Sequence, residues 1–249
     1  MRDAIILGVV QGITEWLPVS SSGHLILFQK FFNLKGGISF DIFLHFSSLL
    51  VIFLFFWEDI KKVAKGFFSF KKELYEFKLG CYIIVSSLIT AIIGIPLNFY
   101  LEKITYLLPF AFFFTSLLLF LSRVDGEKRM DFKRAVLIGF IQGISLIPGV
   151  SRSGATISAA RISGVNEKDA FRYSFLIAIP SFLGAILIKL KDFKFISPSF
   201  LLTGFLISFI TGILSLYLLR KIVYTNKLYL FGFYTLMVGI FSFLFNFFQ

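Results

Sequence analysis

The chain has 249 residues, 57% of them hydrophobic and 16% charged, with a formal net charge of +11. A soluble domain carries about a quarter charged residues, and 36 phenylalanines would be hard to bury in a globule facing water, so an ordinary soluble fold is excluded and a lipid environment is indicated. The positive excess does not read as a nucleic-acid footprint, because it falls in the connections between apolar runs, where the positive-inside tendency puts it.

In chain order, residues 4–14 are uncharged but too short to cross a hydrocarbon layer of about 30 Å. A loop follows, Pro18-Val-Ser-Ser-Ser-Gly23, and then a short apolar run, 25–32. No cleavable signal peptide is expected, since the start has no basic excess and Gln11 and Glu15 interrupt the apolar run. Residues 40–57 read as a first span, and His45 within it reads as a satisfied core histidine. The loop 58–78 carries six lysines, among them Lys61, Lys65 and Lys71. Spans are expected at 79–97, which holds the lone Cys81, and at 106–121. The basic loop 122–134 separates them from a second short run and loop, 135–147 and Pro148-Gly-Val-Ser-Arg-Ser-Gly154. Three more spans are expected at 173–188, 198–219 and 228–249. None of these runs alternates as barrel strands would. The fold class is therefore all-α: a polytopic membrane protein with about six transmembrane helices.

The two short segments are copies. Residues 4–26 and 135–157 superpose without a gap, pairing Gly8 with Gly139, Gln11 with Gln142, Gly12 with Gly143, Ser20 with Ser151, Ser22 with Ser153 and Gly23 with Gly154. The offset is close to half the chain, so one membrane domain is expected to consist of two repeat halves, about 1–125 and 130–249. Neither copy can span, and irregular backbone at membrane depth is tolerated only in protein or beside a wet cavity. Both read as re-entrant helical hairpins that meet near the midplane. With both basic loops cytoplasmic, each half holds one hairpin and three spans. Three is odd, so the repeat is inverted and both termini lie on the extracytoplasmic side. Lys189, Lys191 and Lys194 run against this pattern, since their loop falls outside.

Charged groups at membrane depth are functional candidates. Arg152 is a planar, permanent cation suited to phosphate, among Ser151, Ser153 and Thr156, with glycines that allow close backbone approach and a helix start that favours an anion. The alternative reading is that it neutralises Glu15 or snorkels. In the first loop Glu15 could be a base or a metal ligand, Ser20, Ser21 and Ser22 offer nucleophiles and donors, and His24 offers acid–base chemistry. Gln11 lies one turn before Glu15, on the same helix face. An anion site with acid–base groups in a lipid-accessible place suggests phosphate chemistry on a lipid head group, either hydrolysis or transport.

Gln11-Gly-Ile-Thr-Glu15 through Ser22-Gly-His24, and Pro148-Gly-Val-Ser-Arg152-Ser-Gly-Ala-Thr156, resemble the two signature loops of the bacterial undecaprenyl-diphosphatase family of the bacitracin-resistance type, and the resemblance covers nearly the whole chain. It implies a hydrolase that removes one phosphate from undecaprenyl diphosphate, recycling the lipid carrier of peptidoglycan synthesis and conferring bacitracin resistance. It further implies a multi-pass protein of the bacterial plasma membrane with its site on the extracytoplasmic side. Glu15, Ser21, His24 and Arg152 are the implied catalytic positions. Gln11, Ser20, Ser22, Ser151, Ser153 and Thr156 would surround the phosphates. A divalent cation, Mg2+ or Ca2+, is implied, with Glu15 as a ligand; many members have Glu where this chain has Gln11, which puts a two-carboxylate metal site in doubt. The partners are a polyprenyl diphosphate and membrane lipids, with no nucleic acid; oligomeric state is not readable. Ser21 or water could attack. The rival function is a polyprenyl-phosphate transporter or flippase. A second membrane phosphatase family shares Ser-Gly-His, but its Arg-Pro dipeptide is missing here.

Overall fold

The computed structural model describes residues 1–98, 100, 104–194 and 196–247. Its secondary structure among them is helical, apart from one isolated bridge between Lys128 and Val165. The helices are α1 (Arg2–Thr14), α2 (Ser21–Phe32), α3 (Ile38–Phe55), α4 (Trp57–Phe68), α5 (Tyr75–Asn98), α6 (Leu108–Leu121), α7 (Phe132–Ile144), α8 (Arg152–Ile162), α9 (Glu167–Leu190), α10 (Pro198–Tyr224) and α11 (Leu230–Phe247).

Among the described residues four helices are long and apolar enough to cross a membrane: α3, α5, α9 and α10. Two shorter apolar helical stretches, Thr105–Leu121 and Leu230–Phe245, complete the apolar set. Their outer faces are bare. Ile92 is 72% exposed, Leu214 67% and Phe233 58%. In water such faces would be an aggregation hazard; in lipid they are at home. The chain is a membrane protein.

Sequence expectation and structure differ at the first basic loop. Residues 57–68 form a helix rather than an irregular connection. Its lysines alternate with a thin apolar stripe, and only Val63 and Gly66 are buried. Trp57 and Phe68 stay exposed. A basic helix with aromatic ends is suited to lying in the membrane interface. Charge counting alone could not distinguish it from a loop.

α1 runs along α10, and α7 runs along α5. The paired glycines sit at these crossings. A Cβ on Gly8 would come within 2.8 Å of the Gly204 carbonyl oxygen, and one on Gly139 within 2.7 Å of Ser86 Cα. Gly12 likewise faces Thr211 and Gly212, and Gly143 faces Ile93. Small residues one turn apart let backbones approach, which drives helix association where lipid supplies no hydrophobic force. α3 packs against α9 and α6 against α11. Trp16, Phe56, Phe171, Phe175 and Leu216 form the main core, directly beside the loops that follow α1 and α7.

Candidate functional site

The residues after α1 and α7 turn back into α2 and α8, and the two turns touch. Ser20 caps α2 by accepting from the Gly23 N–H, and Ser151 caps α8 by accepting from the Gly154 N–H at 3.1 Å. The matched caps differ in backbone. Ser20 sits at φ 71° and Ser151 at φ −79°. A non-glycine residue at positive φ is strained and is held there by its surroundings. Here those surroundings belong to the other loop: Ser20 Oγ also accepts from the Gly149 N–H at 3.1 Å. Ser153 Oγ returns the bond, donating to the Trp16 carbonyl at 3.0 Å. The loops are closely packed: a Cβ on Gly23 would stand 3.0 Å from Gly149 Cα and 2.6 Å from the Phe112 ring, and one on Gly154 3.0 Å from Pro18 Cβ, so the neighbours would have to give way.

The junction holds a buried charged set. Glu15 directly follows α1, its N–H donating to the Gln11 carbonyl at 2.9 Å. Gln11 Nε2 donates to Glu15 Oε2 at 3.0 Å and to Ser48 Oγ of α3 at 3.4 Å. Ser21 Oγ donates to the same Oε2 at 2.5 Å. Arg152 Nη2, from the other half, donates to Glu15 Oε1 at 2.9 Å. The Arg152 guanidinium lies over the Phe182 ring at 4.6 Å, with Phe175 at 5.9 Å. Its Nη1 is buried and makes no hydrogen bond among the described residues. A desolvated donor costs about 1–3 kcal/mol if unmatched, so the arrangement is poised for an acceptor that the protein does not supply. Both α2 and α8 open their N-termini on this junction, and such ends favour anions.

The sequence-predicted residues therefore fall into three groups. Gln11, Glu15, Ser21 and Arg152 converge. Ser20, Ser151 and Ser153 build the loop contact, with Ser22 exposed at 3.4 Å from the Ser20 hydroxyl. Thr156 is turned into the α8–α9 interface, where its hydroxyl donates to the Arg152 carbonyl at 2.8 Å and lies 2.5 Å from Ser174 Oγ.

His24 stands apart from the charged set. Its Nδ1 bonds the Ser20 carbonyl at 2.8 Å, so Nδ1 is the donor and Nε2 accepts from the Tyr234 hydroxyl at 2.8 Å. The two rings stack with centroids 5.7 Å apart. Among the described residues His24 makes no hydrogen bond to Glu15, Ser21 or Arg152. Sequence reasoning missed Tyr234 and Phe182. Tyr234 carried a faint signal, a hydroxyl in an uncharged span that must find a partner; Phe182 carried none.

No three His, Cys, Asp or Glu side chains gather to hold a metal among the described residues. One oxygen does suit a hard cation: Gln11 Oε1 is buried without a hydrogen-bond partner, beside Glu15. Mg2+ is commonly held by one or two protein oxygens with substrate phosphates completing the shell, and these two residues fit that role.

The chain matches the family described as bacitracin resistance protein BacA over residues 4–241. It is 40% identical to an undecaprenyl-diphosphatase of Methanosphaera stadtmanae, with 96% of this chain and 95% of that one aligned. It is 38% identical to an undecaprenyl-diphosphatase of Thermosipho africanus, with 96% and 98% aligned, and 37% identical to one of Korarchaeum cryptofilum, with 96% and 97% aligned. With the two signature loops brought together around Glu15 and Arg152, the chain belongs to the family of the bacitracin resistance protein BacA.

Proposed function

We propose that the protein is an integral membrane undecaprenyl-diphosphate phosphatase, cutting the terminal phosphate from a polyprenyl diphosphate to leave the monophosphate carrier. One observation carries the reading: Ser21 donates to Glu15, whose other oxygen is held by Arg152 of the second loop. A hydroxyl hydrogen-bonded to a carboxylate is a nucleophile–base pair. A guanidinium with an unmatched Nη1 beside it is a phosphate clamp. Ser21 attacks the terminal phosphorus, Glu15 takes its proton, and Arg152 with the two helix N-termini stabilises the charge of the transferring phosphoryl group. Ser20, Ser151 and Ser153 fix the loops, Thr156 fixes α8 against α9, and Ser22, exposed beside Ser20, is left to meet the phosphates. His24 holds the Ser20 carbonyl and thereby the start of α2. A divalent cation arriving on the diphosphate would be held by Gln11 and Glu15 and would neutralise phosphate charge.

The architecture that suits this chemistry is an inverted repeat of two halves, about 1–125 and 130–249. Each has one re-entrant hairpin (α1–α2 and α7–α8) and three spans, giving six spans in a plasma membrane. The termini and the site then face the extracytoplasmic side. The support is the reciprocal packing of α1 on α10 and α7 on α5, together with the basic loops at 58–78 and 122–134.

The purified protein in detergent should release phosphate from a polyprenyl diphosphate. Micelles have no sides, so transport cannot imitate hydrolysis, and a wild-type protein that binds the lipid without releasing phosphate would sink the reading.

A further inference from the structure

We propose that His45 of α3 is a further catalytic residue, the acid–base group on the leaving-group side of the diphosphate. The inference rests on the phosphatase reading above. Sequence alone gives His45 a bland role inside an apolar span, and gives the chemistry to His24. The hydrogen bonds distribute the roles differently. Both nitrogens of His24 are engaged, by Ser20 and Tyr234. His45 Nδ1 donates to the Asp41 carbonyl at 2.8 Å, which leaves Nε2 as the reactive nitrogen, with no hydrogen bond among the described residues. A tautomer fixed from behind by a backbone carbonyl is the usual arrangement of a working imidazole.

The surroundings bring the His45 ring beside the charged set, through a ring shared with Arg152. The His45 ring meets Phe182 edge-on at 5.8 Å, and the opposite claim on Phe182 is made by the Arg152 guanidinium at 4.6 Å. One aromatic ring thus separates the clamp from the imidazole. The charged groups facing His45 are Asp41 on its own helix, Lys189 of α9 and Glu15 after α1. Asp41 and Lys189 pair at 3.8 Å, and Asp41 Oδ1 is buried without a hydrogen bond among the described residues.

The proton balance closes without any further reactant. In the first step Ser21 Oγ bonds to the terminal phosphorus and passes its proton to Glu15. The bond from that phosphorus to the bridging oxygen breaks, its electron pair stays on that oxygen, and His45, which enters the step as the imidazolium with Nδ1–H on the Asp41 carbonyl, gives it the Nε2 proton and becomes neutral. The lipid monophosphate leaves as a monoanion, which avoids stranding a second charge at membrane depth. In the second step neutral His45 takes a proton from water. The water oxygen bonds to the phosphorus, the Ser21 Oγ–phosphorus bond breaks, and Glu15 returns the proton to Ser21.

The chain has only two histidines, so the test is direct. Protein labelled at histidine 13Cε1 gives two ring signals in detergent, assigned with His24→Asn. Saturation with methylenediphosphonate, checked by its 31P signal, should move the His45 signal. His45→Ala should lower kcat about 100-fold or more, with His45→Gln, which keeps the packing, no faster than about one-tenth of wild type. A His45 signal unmoved by bound diphosphonate, or a His45→Gln enzyme at full kcat, overturns the assignment. Failure of wild-type protein to release phosphate overturns the phosphatase reading instead, so the two failures are distinct.

Discussion

Glu15 receives bonds from Gln11, Ser21 and Arg152, so one carboxylate holds the proposed nucleophile of one loop and the proposed clamp of the other. Arg152→Lys keeps a charge but loses the planar fork and the stacking on Phe182. It should lower kcat/KM roughly 100-fold, the scale of removing one preorganised donor; near-wild-type turnover would show that charge alone suffices. Acid-quenched turnover of a diphosphate labelled in its terminal phosphate should leave label on Ser21, and Ser21→Ala should abolish both label and turnover. Full activity in Ser21→Ala would hand the attack to water. These residues stood out in the sequence because charges and hydroxyl clusters are rare in apolar runs, although Arg152 also neutralises Glu15 and Ser20, Ser151 and Ser153 bond the loops. Phe182, which touches both Arg152 and His45, was illegible, since one phenylalanine among 36 looks like all the others and its role depends on a contact across the fold.

At the scale of elements, the short helices α1 and α7 depend on their glycines. A Cβ on Gly12 would stand 1.9 Å from Thr211 Oγ1 and 2.6 Å from the Ser208 carbonyl oxygen. Thr211 could rotate, but the backbone of α10 could not. Gly12→Val should therefore destabilise the detergent-solubilised protein by about 1–3 kcal/mol, the usual range for overpacking, seen as a lower unfolding midpoint. An unchanged midpoint would mean that α1 can slide on α10. The same elements show what sequence could resolve. The duplicated motif revealed both hairpin turns, because glycine, proline and serine punctuate chain direction regardless of context. It could not reveal that Gly8 meets Gly204, because which helix a small face chooses is decided by tertiary fit. Arg161 escaped notice for the same reason. It is buried at the end of α8, donating to the Val124 and Val165 carbonyls and pairing with Glu167 at 2.5 Å. It ties the connection between the halves to the second repeat.

At the scale of the molecule, one of the lysines that run against the positive-inside pattern has a charge partner: Lys189 pairs with Asp41. The backbone N–H of Lys194 donates to Ser39 Oγ at 2.8 Å, so the start of α3 and the segment after α9 are held together. In intact cells Lys191→Cys should react with a membrane-impermeant maleimide, and Lys71→Cys should react only after permeabilisation. The opposite pattern would invert the proposed topology. Each turn alone has only part of the charged set: the first supplies Glu15 and Ser21, the second Arg152, with Leu146 and Ala155 standing where the first has Glu15 and His24. The central claim is that one catalytic unit forms across the halves. A double-mutant cycle on phosphate release tests it most directly, using Glu15→Gln, Arg152→Ala and the pair. Groups that act as a unit are grossly non-additive. The double variant should therefore be about as slow as the slower single variant, whereas losses in kcat/KM that multiply would show two loops acting independently and contradict the account.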